Sequence, residues 1–456
     1  MKKIAIGGGQ GFWGDSPDAA IHMIRNADIQ YMGCDYLAEL TLSIMAKQQL
    51  KDPSRGYAPD FVTRLLKEAG KEAWQKNIRI CTNAGGMNVT GCVDAIKNWA
   101  EGEGMQGYRI GYVTGDDIKD QIPRLLKEGW TFPNFDYDGD FHSILDKIYN
   151  CNAYIGHEGI EACLEQDADV VITGRAADSA LFLAPLKHEF GWAADDWDNL
   201  ARGIMAGHLL ECGGQGAGGN YMYDWRGVPR MDELGFPIAE LTDDTFDITK
   251  APDCGGIICE QSCKEQFLYE VLDPANYLTP DVNVDVSHAT LTQVSDNRVR
   301  VGGIKGKPRP DTIKLCVGYH KGWKTVSMLS FAWPDAYEKA QYCAELIMKK
   351  MKRLGMKADD VHISYIGLNS LHLGVADMSE ETLKRLNECV LRIAVFSEDK
   401  RECAKIIPEI SPMQLNGPPG ASFFGGRAHV QEVMALWPTV VPRDALHIES
   451  HILEVK

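Results

Sequence analysis

The sequence predicts an α/β protein, with a doubly wound parallel sheet in an N-terminal domain and a second, α+β domain containing an antiparallel meander. Three observations carry this reading. Before residue 180, a short apolar run ending on a polar, glycine-rich loop and leading into a helical stretch recurs five times. That is the pattern of strand–loop–helix units feeding a parallel sheet. After residue 245 the texture changes to alternating apolar and polar runs broken by Thr, Asp and Pro, as half-buried antiparallel strands read. The chain has 456 residues, more than one core commonly serves. A division into residues 1–245 and 246–456 follows.

The first strand covers residues 3–6 and opens onto Gly7-Gly8-Gly9-Gln10-Gly11-Phe12-Trp13-Gly14-Asp15. Ser16 offers an N-cap and Pro17 a first helical residue for a helix through Arg25. Gly9, Gly11 and Gly14 trace a dinucleotide fingerprint, but Phe12, Trp13 and Asp15 crowd and repel a pyrophosphate, so no nicotinamide cofactor is expected. Residues 29–32 form the second strand and lead into Asp35 and Glu39, which share a face at a helix start. Residues 61–75 are amphipathic and helical. Residues 78–81 form the third strand, ending on Asn83-Ala84-Gly85-Gly86, and residues 108–113 the fourth, with Asp116 beyond.

Gly156-His157-Glu158 precedes a helix leading to the central strand, 169–173, which stops on Thr173-Gly174-Arg175 ahead of a helix capped near Asp178. A helical stretch ending in His208 then delivers a glycine-rich loop with Glu211, Gly213, Gly214, Gln215 and Asn220. In the second half, residues 289–294, 298–301, 312–317 and 325–330 read as the meander. Residues 334–352 and 380–395 read as helices and 361–366 as a strand. The segment 416–427 is rich in Gly and Pro without being polar, and with Phe423 and Trp437 nearby it reads as packed, favouring a homo-oligomer.

A net charge of −17 speaks against nucleic acid and anionic membranes as partners. The nearest basic segment, 298–309, alternates like a solvated hairpin, with Arg309 able to collect an anionic substrate. No apolar run reaches the roughly 20 residues of a membrane span, and the N-terminal apolar run is too short for a signal peptide. A cytoplasmic protein is expected. Thirteen scattered cysteines read as reduced thiols, and Cys254, Cys259 and Cys263 lack the usual metal-ligand spacing.

Ligands of open α/β sheets bind beyond the carboxyl ends of the strands, where these loops gather. Arg175 would grip a carboxylate in two-pronged fashion, with Asp178, Glu211, His157 or Glu158 moving protons. Gly8, Gly9, Gln10, Asn83, Gly85, Gly86, Thr173, Gly213, Gly214, Gln215, Asn220 and Arg309 would bind and orient the substrate. Asp15, Asp35 and Asp116 would hold a divalent ion, the one cofactor these residues suit. This set fits a lyase or hydratase acting on a small carboxylic acid, branched or unbranched, or its CoA thioester. A second reading is a non-catalytic subunit of an acyl-CoA-degrading system that works with a small partner subunit.

Gly7 to Asp15, Asp35-Tyr36-Leu37-Ala38-Glu39, Asn83 to Gly86, Gly156-His157-Glu158, Thr173 to Ser179, Glu211 to Gln215 and Gly218-Gly219-Asn220 together resemble the acyclic terpene utilisation AtuA-like family. The resemblance continues through residues 306–310 and 416–427, nearly the whole chain. It implies a place in the breakdown of acyclic terpenoids through carboxylated acyl-CoA intermediates, and names no single reaction. Phe12-Trp13-Gly14 stands where smaller residues are expected in terpene-pathway members, which makes a short-chain acid an equal expectation.

Overall fold

Runs of four to eight almost wholly buried residues form the centre of the structure, a computed structural model that describes residues 2–456. In chain order these runs are β1 (Lys3–Gln10), β2 (Tyr31–Cys34), β3 (Arg79–Thr82) and β4 (Arg109–Thr114), then β5 (Ile148–Ala153) and β6 (Val170–Thr173). Burial on both faces accounts for their unbroken apolar character. The helices between them are α1 (Asp18–Asn26), α2 (Glu39–Lys51), α3 (Lys71–Gln75), α4 (Val89–Gly102), α5 (Ile122–Lys127) and α6 (Glu158–Leu164). Two more, α7 (Ala180–Phe190) and α8 (Trp197–Leu210), follow β6.

Strands β1, β2, β3, β6 and β4 pair in parallel, in that spatial order. All five strands expected from the first half are present, with ends shifted by one to four residues. Beyond β1 the sheet turns antiparallel through β7 (Pro237–Thr242) and β8 (Phe246–Lys250). After α9 (Glu260–Leu268), β9 (Tyr277–Leu278) and β10 (Asn283–Asp285), it is extended by β11 (Thr290–Ser295) and β12 (Arg298–Gly302). The result is a mixed ten-stranded sheet, while β9, β10 and β13 (Lys305–Lys307) form a small antiparallel sheet. Helices α1, α3 and α4 cluster with one another and the sheet, and α6, α7 and α8 form a second cluster against it.

Two compact units emerge, one reaching Gly318 and including Leu436–Lys456, the other Tyr319–Ala435. The boundary expected at 245/246 falls inside the first unit. There, Thr242 N–H donates to Thr245 O at 2.9 Å, so the Thr- and Asp-rich stretch is a hairpin turn between β7 and β8 rather than a linker.

The expected meander is not one structure. β11 and β12 belong to the ten-stranded sheet, and residues 312–317 and 325–330 lie on a single strand, β14 (Thr312–Ala332). Gly318 marks no turn there. A Cβ on it would lie 1.8 Å from Ser43 Oγ, so the glycine permits close approach.

In the second unit β14 pairs antiparallel with β16 (Glu388–Ser397), and β16 with β15 (Asp360–Ile366). α10 (Ala336–Arg353) covers this sheet, with Ile347, Phe331, Leu391 and Ile393 in its core. The helix expected over 380–395 is corrected. It ends at Arg385 as α11 (Glu380–Arg385), because residues 389–396 form a nearly continuous apolar run with β-branched Val390, Ile393 and Val395 and bury as a strand.

β17 (Ser422–Phe423) pairs with β14, yet Phe423 and Phe424 stand exposed, so this segment is less packed than its composition predicts. In the first unit, Trp437 of β18 (Val430–Pro442) is buried and its Nε1–H donates to Phe132 O. β19 (Glu449–Glu454) closes the large sheet against β4. The expected helix over residues 61–75 is π-helical from Phe61 to Gly70 before becoming α3. Among the described residues no helix is long and apolar enough to cross a membrane.

The glycines of the first loop are packing residues. A Cβ on Gly8 would meet the Leu210 carbonyl oxygen at 2.6 Å, and one on Gly9 the Cys34 Sγ at 2.6 Å. The end of β1 is thereby pressed onto the segment that carries Glu211. Gly8→Ala should cost about 1–3 kcal/mol of stability, since backbone cannot yield as a side chain does. A urea midpoint lowered at unchanged slope would show it.

Candidate functional site

β2, β3 and β6 end side by side and carry Asp35, Asn83 and Arg175 to one place. Asn83 Nδ2–H donates to Asp35 Oδ1, while its Oδ1 accepts from Tyr36 N–H at 2.7 Å. Arg175 is 2% exposed. Its backbone N–H donates to Asp116 Oδ2 at 2.7 Å, and Asn152 Nδ2–H holds the same oxygen at 2.9 Å. The guanidinium donates from Nη1 to Leu37 O and lies 4.1 Å from the centre of the Tyr154 ring. Its Nη2 stands 2.9 Å from Asp178 Oδ1, an ion pair out of line for a hydrogen bond. Lys314 Nζ approaches the Tyr154 ring at 4.5 Å and Glu39 Oε1 at 3.0 Å. Tyr154 donates its hydroxyl to the same Glu39 oxygen.

Four carboxyl groups thus surround one buried guanidinium, and they do not titrate alike. Burial pushes Asp35 up to about 6, against the pull of Arg175 and Asn83. Burial, opposed by Arg175 and reinforced by Asp35 and Glu39, pushes Asp178 up to about 8. Asp178 is nevertheless 29% exposed, so water reaches it. Glu211 is raised by burial, then by Asp178 and Glu270. Burial would also raise Glu39, but Lys314, Tyr154 and Arg175 outweigh it and leave that group at about 2. Glu39 carries the charge and its three neighbours keep protons well above the usual carboxylate range.

α8 adds a residue that the sequence reading passed over. His208 is fully buried, its Nδ1 lies 3.2 Å from Glu211 Oε1, and its ring sits 5.4 Å from that of Tyr277. Burial lowers its pKa. While the His208 ring meets the backbone of Phe267 and Gln266, Gln10 Oε1, Arg175 Nε and Asp178 Oδ1 are buried without a hydrogen-bond partner in the protein. Such groups are costly to leave unpaired, so a site where several adjoin is suited to a polar ligand.

A cavity of about 870 Å³ adjoins this cluster without coinciding with it. Gly11, Asp15, Cys212, Gly214, Gln215 and Asn220 are on its wall. Cys212 follows Glu211 directly, so the buried acids begin one residue behind that wall. Gln215 donates to Gln266 Oε1 and accepts from Asn220. Gly213 has φ +55°, a left-handed turn that glycine adopts without strain.

The remaining sequence-predicted residues fall elsewhere. His157 is buried and pairs with Asp281, Nδ1 to Oδ1 at 2.7 Å. Burial would lower the His157 pKa, but Asp281 overrides it and raises it. Glu158 is taken by Arg309 on the surface. Either residue was expected to move a proton; the structure places both in a separate ion network. His157, Glu158 and Asp281 are the only three-ligand group within metal-binding reach among the described residues. Arg309 on Glu158 and Arg443 beside Asp281 already balance its charge.

Asp15, Asp35 and Asp116 do not meet. Asp15 accepts from Gly11 and Ser16 N–H at the cavity wall, and Asp116 is spent on Asn152 and Arg175. Gly85 and Thr173 serve packing, since a Cβ on Gly85 would meet Thr173 O at 2.5 Å. Gly86 adopts φ +51° in the same turn. Of the basic segment, Arg298 and Arg300 pair with Asp247, Lys305 with Asp198, and Lys307 with Asp285, which accounts for its solvated, neutralised character.

Asp35, Asp116 and Asp178 hold protons in the folded chain, at pKa values of about 6, 6 and 8, that the unfolded chain releases near 3.9. Their contribution to stability is therefore complete below about pH 4 and is lost as pH rises toward 8. Asp178→Asn should flatten the upper part of that decline, between pH 6 and 8, in urea melts taken across the range.

No curated protein and no solved structure matches the chain. The profile of the acyclic terpene utilisation family protein AtuA matches residues 4–452. With nearly its whole length covered, the chain belongs to the acyclic terpene utilisation AtuA family.

Proposed function

We propose that the protein is a catabolic lyase or hydratase that adds or removes a small group, such as water, on a small branched carboxylic acid. The observation that carries this is the set of proton-holding carboxyls, Asp178 and Glu211, beside buried Arg175, whose Nε has no hydrogen-bond partner in the protein. Addition and elimination need one group to give a proton and another to take one, each with a pKa near the working pH. Asp178 is the water-accessible member and acts as the acid. Glu211, close enough to Asp178 for that acid to raise it further, is the second proton carrier. Arg175 Nε–H is the donor left for a substrate oxygen, since its Nη atoms are engaged by Leu37 and Asp178.

The strand order supports a doubly wound reading of the parallel strands. The chain leaves β3 for α4, in one helical cluster, and leaves β6 for α7, in the other. Neighbouring strands whose connections diverge in this way open a crevice at their carboxyl ends, where such sheets bind ligands. Asn83 and Arg175 follow those two strands. The cavity wall favours the free acid over the CoA thioester. Its one arginine, Arg230, is paired with Glu233, and Asp18, Asp232 and Asp253 line the same wall, a poor setting for the phosphates of CoA.

The test begins with a thermal-shift screen against small di- and tricarboxylates and branched acyl-CoA esters, followed by NMR of turnover of the ligands found. Asp178→Asn should lower kcat/KM about 10²–10⁴-fold, the usual worth of a positioned acid or base. The wild-type rate should fall above about pH 8 as Asp178 loses its proton. Wild-type turnover by Asp178→Asn would refute the assignment.

A further inference from the structure

A strand that ends a sheet leaves a row of backbone N–H and C=O groups unpaired, and proteins guard such rows with charge, proline or brevity. Most sheet ends here are guarded. β19 carries Glu449, His451 and Glu454, β15 carries Asp360 and His362, and β13 carries Lys305 and Lys307. β9 and β17 are two residues long. β11 is the exception. Its six residues, Thr290-Leu291-Thr292-Gln293-Val294-Ser295, include no charge and no proline. Among the described residues it pairs with β12 alone, at the end of the large sheet. Thr290 and every residue from Thr292 to Ser295 are exposed.

The strand is held ready to pair. Gln293 Oε1 accepts from Glu260 N–H at 3.0 Å and its Nε2–H donates to Ile258 O at 3.3 Å, which ties β11 to the start of α9. From Thr290 to Gln293 the ladder to β12 is regular, and its one shift follows Gln293, toward the turn. Leu291 lies opposite Val301, and Gln293 opposite Val299. Leu291 therefore shares a face with two buried valines. It is only half-buried itself, because the row of side chains stops there.

We propose that β11 is an interface between two copies of this chain, pairing antiparallel with β11 of the second copy across a two-fold axis. Such an axis stands perpendicular to the joined sheet, so only residues of the same face lie opposite one another. With Leu291 on the axis, it meets its own counterpart and continues the valine row, while each Thr290 faces Thr292 of the other copy. Leucine packing on leucine and threonine bonding threonine are cross-strand contacts that stabilise sheets. Ala289 then faces Gln293, and the shift beyond Gln293 lies outside the paired stretch. Charge favours the same occupant. Each copy carries −17 overall, and an uncharged strand lets two of them meet without opposed like charges.

Light scattering behind size-exclusion chromatography should give the mass of two chains at micromolar concentration. Leu291→Lys sets two like charges face to face, and Thr292→Lys puts a charge on an exposed position of the paired stretch. Both should elute as single chains, Thr292→Lys with the circular dichroism of the wild type. Leu291→Cys should form a covalent dimer on mild oxidation, since paired strands hold opposed Cα atoms about 4.5–5.5 Å apart, within disulfide reach. Leu272→Cys, exposed but off the strand, should not. A single-chain mass for the wild type would overturn the proposal and leave the edge to some other chain. So would a two-chain mass that survives Thr292→Lys, or a Leu291→Cys chain that crosslinks no better than Leu272→Cys. Should Leu291→Lys not fold, Thr292→Lys and the crosslink decide.

Discussion

One buried cation governs the site. A guanidinium removed from water must be matched by hydrogen bonds and opposite charge, or the fold loses several kcal/mol. Arg175 receives that match from three elements: Leu37 after β2, Tyr154 after β5, and Asp178 on its own turn. Asp116 secures its backbone, and Gly174 leaves room for this, since a Cβ there would lie 2.4 Å from an Asp116 oxygen. The ends of neighbouring strands are thus tied together through one side chain.

The same constraint explains why the carboxyls differ. One guanidinium cannot neutralise four acids, and a second cation, Lys314, bonds Glu39 directly and acts on Asp178 only at a distance. Glu39 therefore ionises fully, while Asp35, Asp178 and Glu211 share what remains and hold protons. Proton-transfer capacity is here a product of charge imbalance in a buried place, and no catalytic motif is needed to create it.

Much of the first half was legible from sequence because its signals are local. Apolar runs, glycine loops and helical stretches lie next to one another, and the loop tips bearing Asp35, Asn83, Arg175, Asp178 and Glu211 could be read off. What each tip touches was not legible. Asp116 braces the Arg175 backbone and His157 pairs with Asp281, contacts that no local pattern announced. Glu39 was noticed as a helix-start charge, and its partners Tyr154 and Lys314 lie 115 and 275 residues away. His208 read only as the end of a helix, since nothing in its neighbourhood of the chain reveals that Tyr277 and the backbone of α9 enclose its ring. In the second half, helix and strand were exchanged beyond Arg385, where the apolar, β-branched run from Val390 to Phe396 outweighs the helical composition just before it.

The pairing of β19 with β4 has a consequence for how the chain is made. Arg109 and Glu454, joined across that edge, are 345 residues apart. During synthesis the outer edge of β4 must therefore wait while most of the chain emerges, its backbone N–H and C=O groups open to any passing strand. The residues of the second unit are contiguous and can collapse within that interval. A strand made this late covers an edge made early, so β4 stays the open side of the parallel strands until β19 arrives.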